Sequence, residues 1–416
     1  MAPFYKNIKG DKVIWAIVFL LSIMSFLAVY SSTGTLAYKY QGGNTEYYMF
    51  KHGLILFLGL VLMYLAHIVK YTYYSRIFQI ALYIAVPLLF ITLFFGLNLN
   101  EARRVLPLPF GLTFQTSDLA KITLIIYLAR MLTKKQDDIH DFKSAFVPII
   151  FPVLLVTGLI FWDNFSTAAL LFTTSLVLIF IGRVKFTYIA SMLGIGIVAA
   201  AIGIVILFSL PEGQQGRVGT WKTRITDYVD GSKGDSYQVE QAKIAIATGG
   251  IVGKMPGNST QRNFLPHPYS DFIFAIIIEE YGLIGGIVIV LLYLILLFRA
   301  VKIVTKAPGT FGSFLVIGVA FSLVFQAMIN MGVAVNLLPT TGQPLPLVSM
   351  GGTSIWFTSL AIGIILSVSK EIDKKAKQKL NYAKKNWPVN LAKNKKPFYK
   401  VEIVIVKLIM MLLLCE

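Results

Sequence analysis

The sequence predicts an all-α membrane protein: a polytopic helical bundle of about ten transmembrane helices, both termini cytoplasmic, with one large extracytoplasmic loop. Hydrophobic residues fill 56% of the 416 positions, and the mean hydropathy is +0.71, far above that of a soluble domain. The apolar runs are continuous rather than alternating, the pattern of spanning helices and not of a lipid-facing β-barrel. Lysines and arginines gather in alternate loops, which orients the bundle by the positive-inside rule.

Ten spans follow in order: 13–30, 52–69, 77–97, 117–132, 145–162, 165–182, 188–210, 272–298, 311–331 and 353–369. Residues 1–12 form a cytoplasmic N-terminus. Lys6, Lys9 and Lys12 before the first run resemble a signal-peptide start. That run has about 18 residues and no small-residue cleavage site after it, so it reads as a retained anchor. Basic clusters at 70–76, 130–143, 183–185 and 299–306 mark the inner loops. The stretch 211–270 lies outside, and its length marks it as functional or disordered. Trp221, Tyr228 and Tyr237, a helix expected over 238–248 and a turn-rich 249–257 favour a folded loop. The body of the protein is therefore 13–370. A basic cytoplasmic tail, 371–416, follows; its apolar end, 401–414, is too short to span and receives no function.

Composition excludes several classes. One cysteine, Cys415, rules out an internal disulfide, and four histidines lie without metal-ligand spacing. There is no phosphate-binding glycine loop, dinucleotide fingerprint, metalloprotease motif or serine elbow, so reaction energy must come from the substrate itself. The net charge of +18 reflects topology and attraction to anionic membrane lipids rather than nucleic acid.

Three constellations carry chemistry. Asp271 stands where the outer loop meets a membrane helix, with Glu279 and Glu280 inside that helix. A charge at the bilayer centre costs ~2.5–3.5 kcal/mol or more, so these acids need a reason. Ser270 is expected to cap the helix, with Asp271 in its favourable field; the bland alternative is a simple cap and two paired glutamates. Next, Gln115-Thr-Ser117-Asp118-Leu-Ala-Lys121 opens a helix. Ser117 can cap it, and Asp118 and Lys121, three apart, can pair on one face. Lys121 then either snorkels or waits for an anionic group. Finally, Asn336 to Ser354 is dense in glycine, proline and hydroxyls between two apolar helices. Irregular backbone at membrane depth survives only inside protein or along a cavity, so this reads as a re-entrant wall or a tight hairpin. A capped turn at Asp163-Asn164 joins two spans at the outer face.

In this order the motifs resemble the SEDS family (shape, elongation, division and sporulation), the RodA/FtsW type of peptidoglycan glycosyltransferase, over nearly all of 13–370. The resemblance rests on Ala102-Arg-Arg104 with Gln115 to Lys121, on Ser270-Asp271-Phe-Ile-Phe with Glu279-Glu280-Tyr-Gly282, and on Leu338-Pro-Thr-Thr-Gly-Gln-Pro344-Leu-Pro with Ser349-Met-Gly351-Gly352-Thr-Ser354. Gln261 to Ser270 looks most similar to division-type members. Three departures stand out: Val105 for the usual tryptophan, Asp118 for glutamate, and Asp163-Asn-Phe-Ser-Thr167 for Pro-Asp-X-Gly-Thr.

The resemblance implies polymerisation of lipid II into glycan strands at the outer face of the cytoplasmic membrane, at the division septum, releasing undecaprenyl pyrophosphate with inversion. It makes Asp271 the catalytic base. Arg104, Lys121, Asp118, Gln115, Pro344, Ser349, Gly351, Gly352 and Ser354 become substrate-binding candidates, with Glu279 and Glu280 in support. A divalent cation (magnesium or manganese) is an optional helper with no assigned ligands. The implied partners are lipid II, a class B penicillin-binding transpeptidase and other membrane proteins of the divisome. The rivals are a lipid II flippase, a non-catalytic division scaffold, and a RodA-type role in elongation.

Overall fold

A computed structural model describes residues 9–99, 102–108, 112–209 and 236–385. Each of the ten expected spans corresponds to a helix. They are α1 (Lys12–Ser32), α3 (Thr45–Ile68), α4 (Tyr71–Phe95), α5 (Thr116–Lys134), α6 (Val147–Phe161, continuing a π-helical turn Phe142–Phe146), α7 (Phe165–Ile181), α8 (Phe186–Ser209), α10 (Ile273–Val304), α11 (Thr310–Ala334) and α12 (Gly352–Lys385). Two further helices lie between spans: α2 (Gly34–Gln41) and α9 (Ser236–Gly249). Eight of the described helical segments are long and apolar enough to cross a membrane. The other two spans, α7 and α5, are limited by 17 residues of length and by charge at Asp118, Lys121 and Arg130 respectively.

The ends differ from expectation where polar residues extend a helix. Helix α3 starts at Thr45, well before 52, because the Asn44 side chain accepts from Tyr47 N and Glu46 sits in the first turn. Helix α12 runs past 369 to Lys385. The apolar stretch 401–414 lies outside the described residues, as do Trp221 and Tyr228. The connection 98–116 carries a three-stranded antiparallel sheet, β1 (Leu97–Leu99), β2 (Ala102–Leu108) and β3 (Leu112–Gln115), with Val105 opposite Gln115. Strand β3 leads without a break into α5.

Helices α11 and α12 are the most enclosed, with 61% and 72% of their apolar windows buried, against 12% for α8. Helix α12 crosses α3 closely because both carry glycine there: a Cβ at Gly59 would meet Ser359 Oγ at 2.8 Å, and one at Gly363 would meet the Met63 carbonyl at 2.5 Å. Without a hydrophobic drive between helices in lipid, such backbone approach supplies the packing.

Helix α10 is broken at Gly282 (φ 69°, ψ −174°). A Cβ there would fall 2.1 Å from the Ile251 carbonyl. The amides freed by the break are taken up by the turn after α9: Leu283 N donates to Gly250 O at 2.9 Å and Ile284 N to Ile251 O at 3.3 Å, while Lys254 N donates to Glu279 O at 2.9 Å. Outer loop and membrane helix thus share one hydrogen-bond ladder.

Candidate functional site

Asp271 lies in the turn before α10, not in its first helical turn. Ser270, expected as the cap, instead donates its hydroxyl to Asp271 Oδ1 at 2.9 Å, and the N-cap position falls to Phe272, which has no side-chain acceptor. The turn is fixed by the irregular segment 336–351. Asn330 Nδ2 donates to the Asp271 carbonyl (2.9 Å) and to Gln343 O (2.7 Å). Ser349 Oγ donates to Ser270 O (2.6 Å) and accepts from Leu345 N (2.8 Å). Met350 N donates to Tyr269 O (2.8 Å). Asn330 and the wall therefore hold this turn through the backbone carbonyls of Tyr269, Ser270 and Asp271, and the half-buried carboxylate accepts from Ser270 at Oδ1. Gly342 lies beside it: a Cβ there would stand in ordinary contact, 3.6 Å from Asp271 Oδ2. The segment contains three left-handed residues, Asn336, Gly342 and Leu347. Leu345, Leu347 and Val348 within it are buried.

The second cluster sits on α5. Lys121 Nζ pairs with Asp118 Oδ1 at 2.7 Å and reaches Gln326 Oε1 at 3.2 Å. Gln326 Nε2 continues to Pro344 O at 2.9 Å. Asp118 is buried and Lys121 is mostly so, with 12% of its side chain exposed, and Asp118 Oδ2 has no hydrogen-bond partner among the described residues. They line a narrow cavity of about 40 Å³ with Gln326, Ser354, Phe357 and Thr358, whose deeper wall is apolar. Asp271 does not line this cavity. The two clusters are joined through the wall, by Lys121–Gln326–Pro344 on one side and Gln343–Asn330–Asp271 on the other.

Ser117 does not cap α5; its Oγ accepts from Gln115 Nε2 (3.1 Å), while Gln115 N donates to Thr353 Oγ1 (3.2 Å). Gly352 packs beside Thr113, and the Gly351 carbonyl accepts from Ile355 N at 3.1 Å, starting α12. Arg104 belongs to β2, one residue before the Val105–Gln115 pair; its side chain lies outside the described residues. Glu279 and Glu280 fasten the loop rather than face Asp271. Buried Glu279 binds Lys254 Nζ (2.7 Å), Ser259 Oγ, Thr260 N (3.0 Å) and Gln261 N (3.2 Å). Glu280 accepts from Ser31 Oγ and Ser259 N.

Sequence reasoning missed Gln326, Gln343 and Tyr269. Gln326 and Asn330 stand four apart inside an otherwise apolar helix, a signal that both face the bundle interior. Among the described residues, no three His, Cys, Asp or Glu side chains converge to hold a metal.

Comparison with known proteins identifies the family and the fold. The family described as "Cell cycle protein", FtsW/RodA/SpoVE, matches residues 11–374. Stage V sporulation protein E of Bacillus subtilis (strain 168) is 31% identical over 374 residues, covering 88% of this chain and 98% of that protein. The probable peptidoglycan glycosyltransferase FtsW of Geobacter sp. (strain M18) is likewise 31% identical over 374 residues, with the same coverage. Among solved structures, a chain of a peptidoglycan synthase complex superposes with a TM-score of 0.68 at 22% identity, covering 87% of this chain and 98% of that one. RodA of Thermus thermophilus gives 0.61 at 22%, covering 87% and 97%. The fold is the one these structures share, and this multi-pass membrane protein belongs to the FtsW/RodA/SpoVE family of cell cycle proteins, the SEDS family, close to FtsW.

Proposed function

We propose that the protein is a peptidoglycan glycosyltransferase that polymerises lipid II at the outer face of the cytoplasmic membrane, in the division septum. The observation that carries this is the mounting of Asp271: a half-buried carboxylate gripped by its backbone, with Gly342 beside its oxygen. In the proposed step Asp271 takes the proton from the acceptor sugar's 4-hydroxyl. That oxygen forms a bond to the donor's anomeric carbon as the bond to pyrophosphate breaks, with inversion, and undecaprenyl pyrophosphate leaves. One base suffices for a single displacement. Lys121 offsets the charge gathering on the leaving group, and Arg104 is a second candidate. Magnesium, where it takes part, needs only one or two carboxylates besides substrate phosphates. Asp118 and Asp271 do not share one cavity, so they do not form a single ion site; an ion held at either carboxylate with the substrate's phosphates would supply charge neutralisation to the diphosphate. A class B penicillin-binding transpeptidase is the expected partner, in keeping with the likeness to a synthase complex.

The test is the full-length protein, alone and with its transpeptidase, given lipid II in detergent. Glycan strands that disappear in Asp271→Asn support the reading. Strands persisting in that variant remove Asp271 from the base role. Headgroup translocation in vesicles without any polymer would identify a flippase instead.

A further inference from the structure

Away from the site described, an open pocket of about 700 Å³ is lined by Gly34, Thr35, Tyr38, Lys39, Arg262 and Asn263. Its volume lies within the usual range of small-molecule sites. Two cations share it, and one is oriented in advance. Arg262 Nη1 donates to the Ser31 carbonyl (3.0 Å) and Ser31 Oγ (3.1 Å), and Ser31 Oγ donates to buried Glu280. Glu280 offsets part of the guanidinium charge, which leaves Lys39 as the stronger attraction for an anion. Lys39 is exposed, with Nζ 5.4 Å from the Tyr40 ring centre, and Tyr38 is 79% exposed.

The pocket lies on the loop that leads to Asp271: Arg262 and Asn263 belong to the turn Gln261–Asn263, and helix α2, with Tyr38 and Lys39, packs against that turn. Tyr38 and Lys39 line the pocket, and the next residue, Tyr40, lies under Lys39 Nζ. Tyrosine presents an apolar ring with a polar rim, a surface suited to the C–H face of a pyranose and its hydroxyls. Arginine and lysine in the same pocket suit carboxylates.

We infer that this pocket is an anionic-glycan subsite, holding a carboxylate-bearing sugar unit of the strand one or more residues away from Asp271. Its place in a reaction rests on the polymerase reading; its binding chemistry does not. The probe is a soluble peptidoglycan tetrasaccharide with stem peptides, titrated into full-length Asp271→Asn protein in nanodiscs of neutral lipid. Lys39→Glu should weaken binding about tenfold, as expected for one charge-assisted contact. Lys39→Arg should bind as the parent does, and Tyr38→Ala should weaken it. A tetrasaccharide with amidated carboxylates should lose affinity for the parent and not for Lys39→Glu. Absence of binding, or equal binding by Lys39→Glu, overturns the inference. So does displacement of the probe by phosphatidylglycerol vesicles at the same lysine, which would mark a phospholipid headgroup site. A protein that binds the probe through Lys39 but makes no polymer from lipid II keeps this subsite and loses the polymerase reading. A protein that polymerises while Lys39→Glu binds unchanged does the reverse.

Discussion

Asn330 holds Asp271 by its backbone: one amide nitrogen serves the Asp271 carbonyl at 2.9 Å and the Gln343 carbonyl at 2.7 Å. The acid is thereby registered against the irregular wall through its backbone rather than through its carboxylate. Asn330→Leu strands two carbonyls, each worth about 1–3 kcal/mol when left unsatisfied. Polymerisation kcat should fall about tenfold or more, with KM for lipid II changed by less than about twofold. Steady-state kinetics decide it; a change confined to KM would assign Asn330 to substrate binding.

Lys121 and Asp118 form a largely buried pair, so removing one leaves the other charged and alone. Lys121→Met should destabilise the protein by about 3–5 kcal/mol, and the double variant Asp118→Leu/Lys121→Met should recover most of that loss. Thermal unfolding in detergent measures both. Activity should be absent in both, since the cation for the leaving group is gone. Recovery of activity along with stability would make the pair structural only.

Glu279 gathers a lysine, a serine hydroxyl and two loop amides. Glu279→Gln forfeits the ion pair and presents a donor where acceptors are required. The segment 254–261 should become sensitive to limited proteolysis, with the helices still intact by circular dichroism. Protection equal to the parent's would show that the loop is held elsewhere.

Tyr269 is held neutral by burial and by the charge of Asp271. Its ionisation is displaced to higher pH, so it remains a hydrogen-bond donor throughout the working range. Tyr269→Phe should leave the alkaline side of the pH–rate profile unchanged up to about pH 9. A moved alkaline limb would mean that the phenol itself titrates in the reaction.

Much of this molecule is legible in its sequence because lipid enforces one pattern. Twenty or so apolar residues must be helix, and basic loops give the orientation. The helix of the outer loop, the Asp118–Lys121 pair and the irregular 336–351 wall follow from local spacing alone. Capping was misread at Ser117 and Ser270, where a neighbouring side chain, Gln115 or Asp271, competes for the hydroxyl. The sheet at 97–115 gave little alternation to find. Long-range partners are not encoded locally: nothing in Glu279 points to Lys254, twenty-five residues back, nor in Gln326 to the carbonyl of Pro344.

The interruption of α10 at Gly282 has an architectural consequence. Because carbonyls of Gly250 and Ile251 stand in for helical ones, the extracytoplasmic excursion and the eighth span form a single assembly unit. A chimaera that exchanges the excursion alone with a relative's would sever that unit at its seam, and only a graft ending beyond Ile284 would carry both halves of the joint.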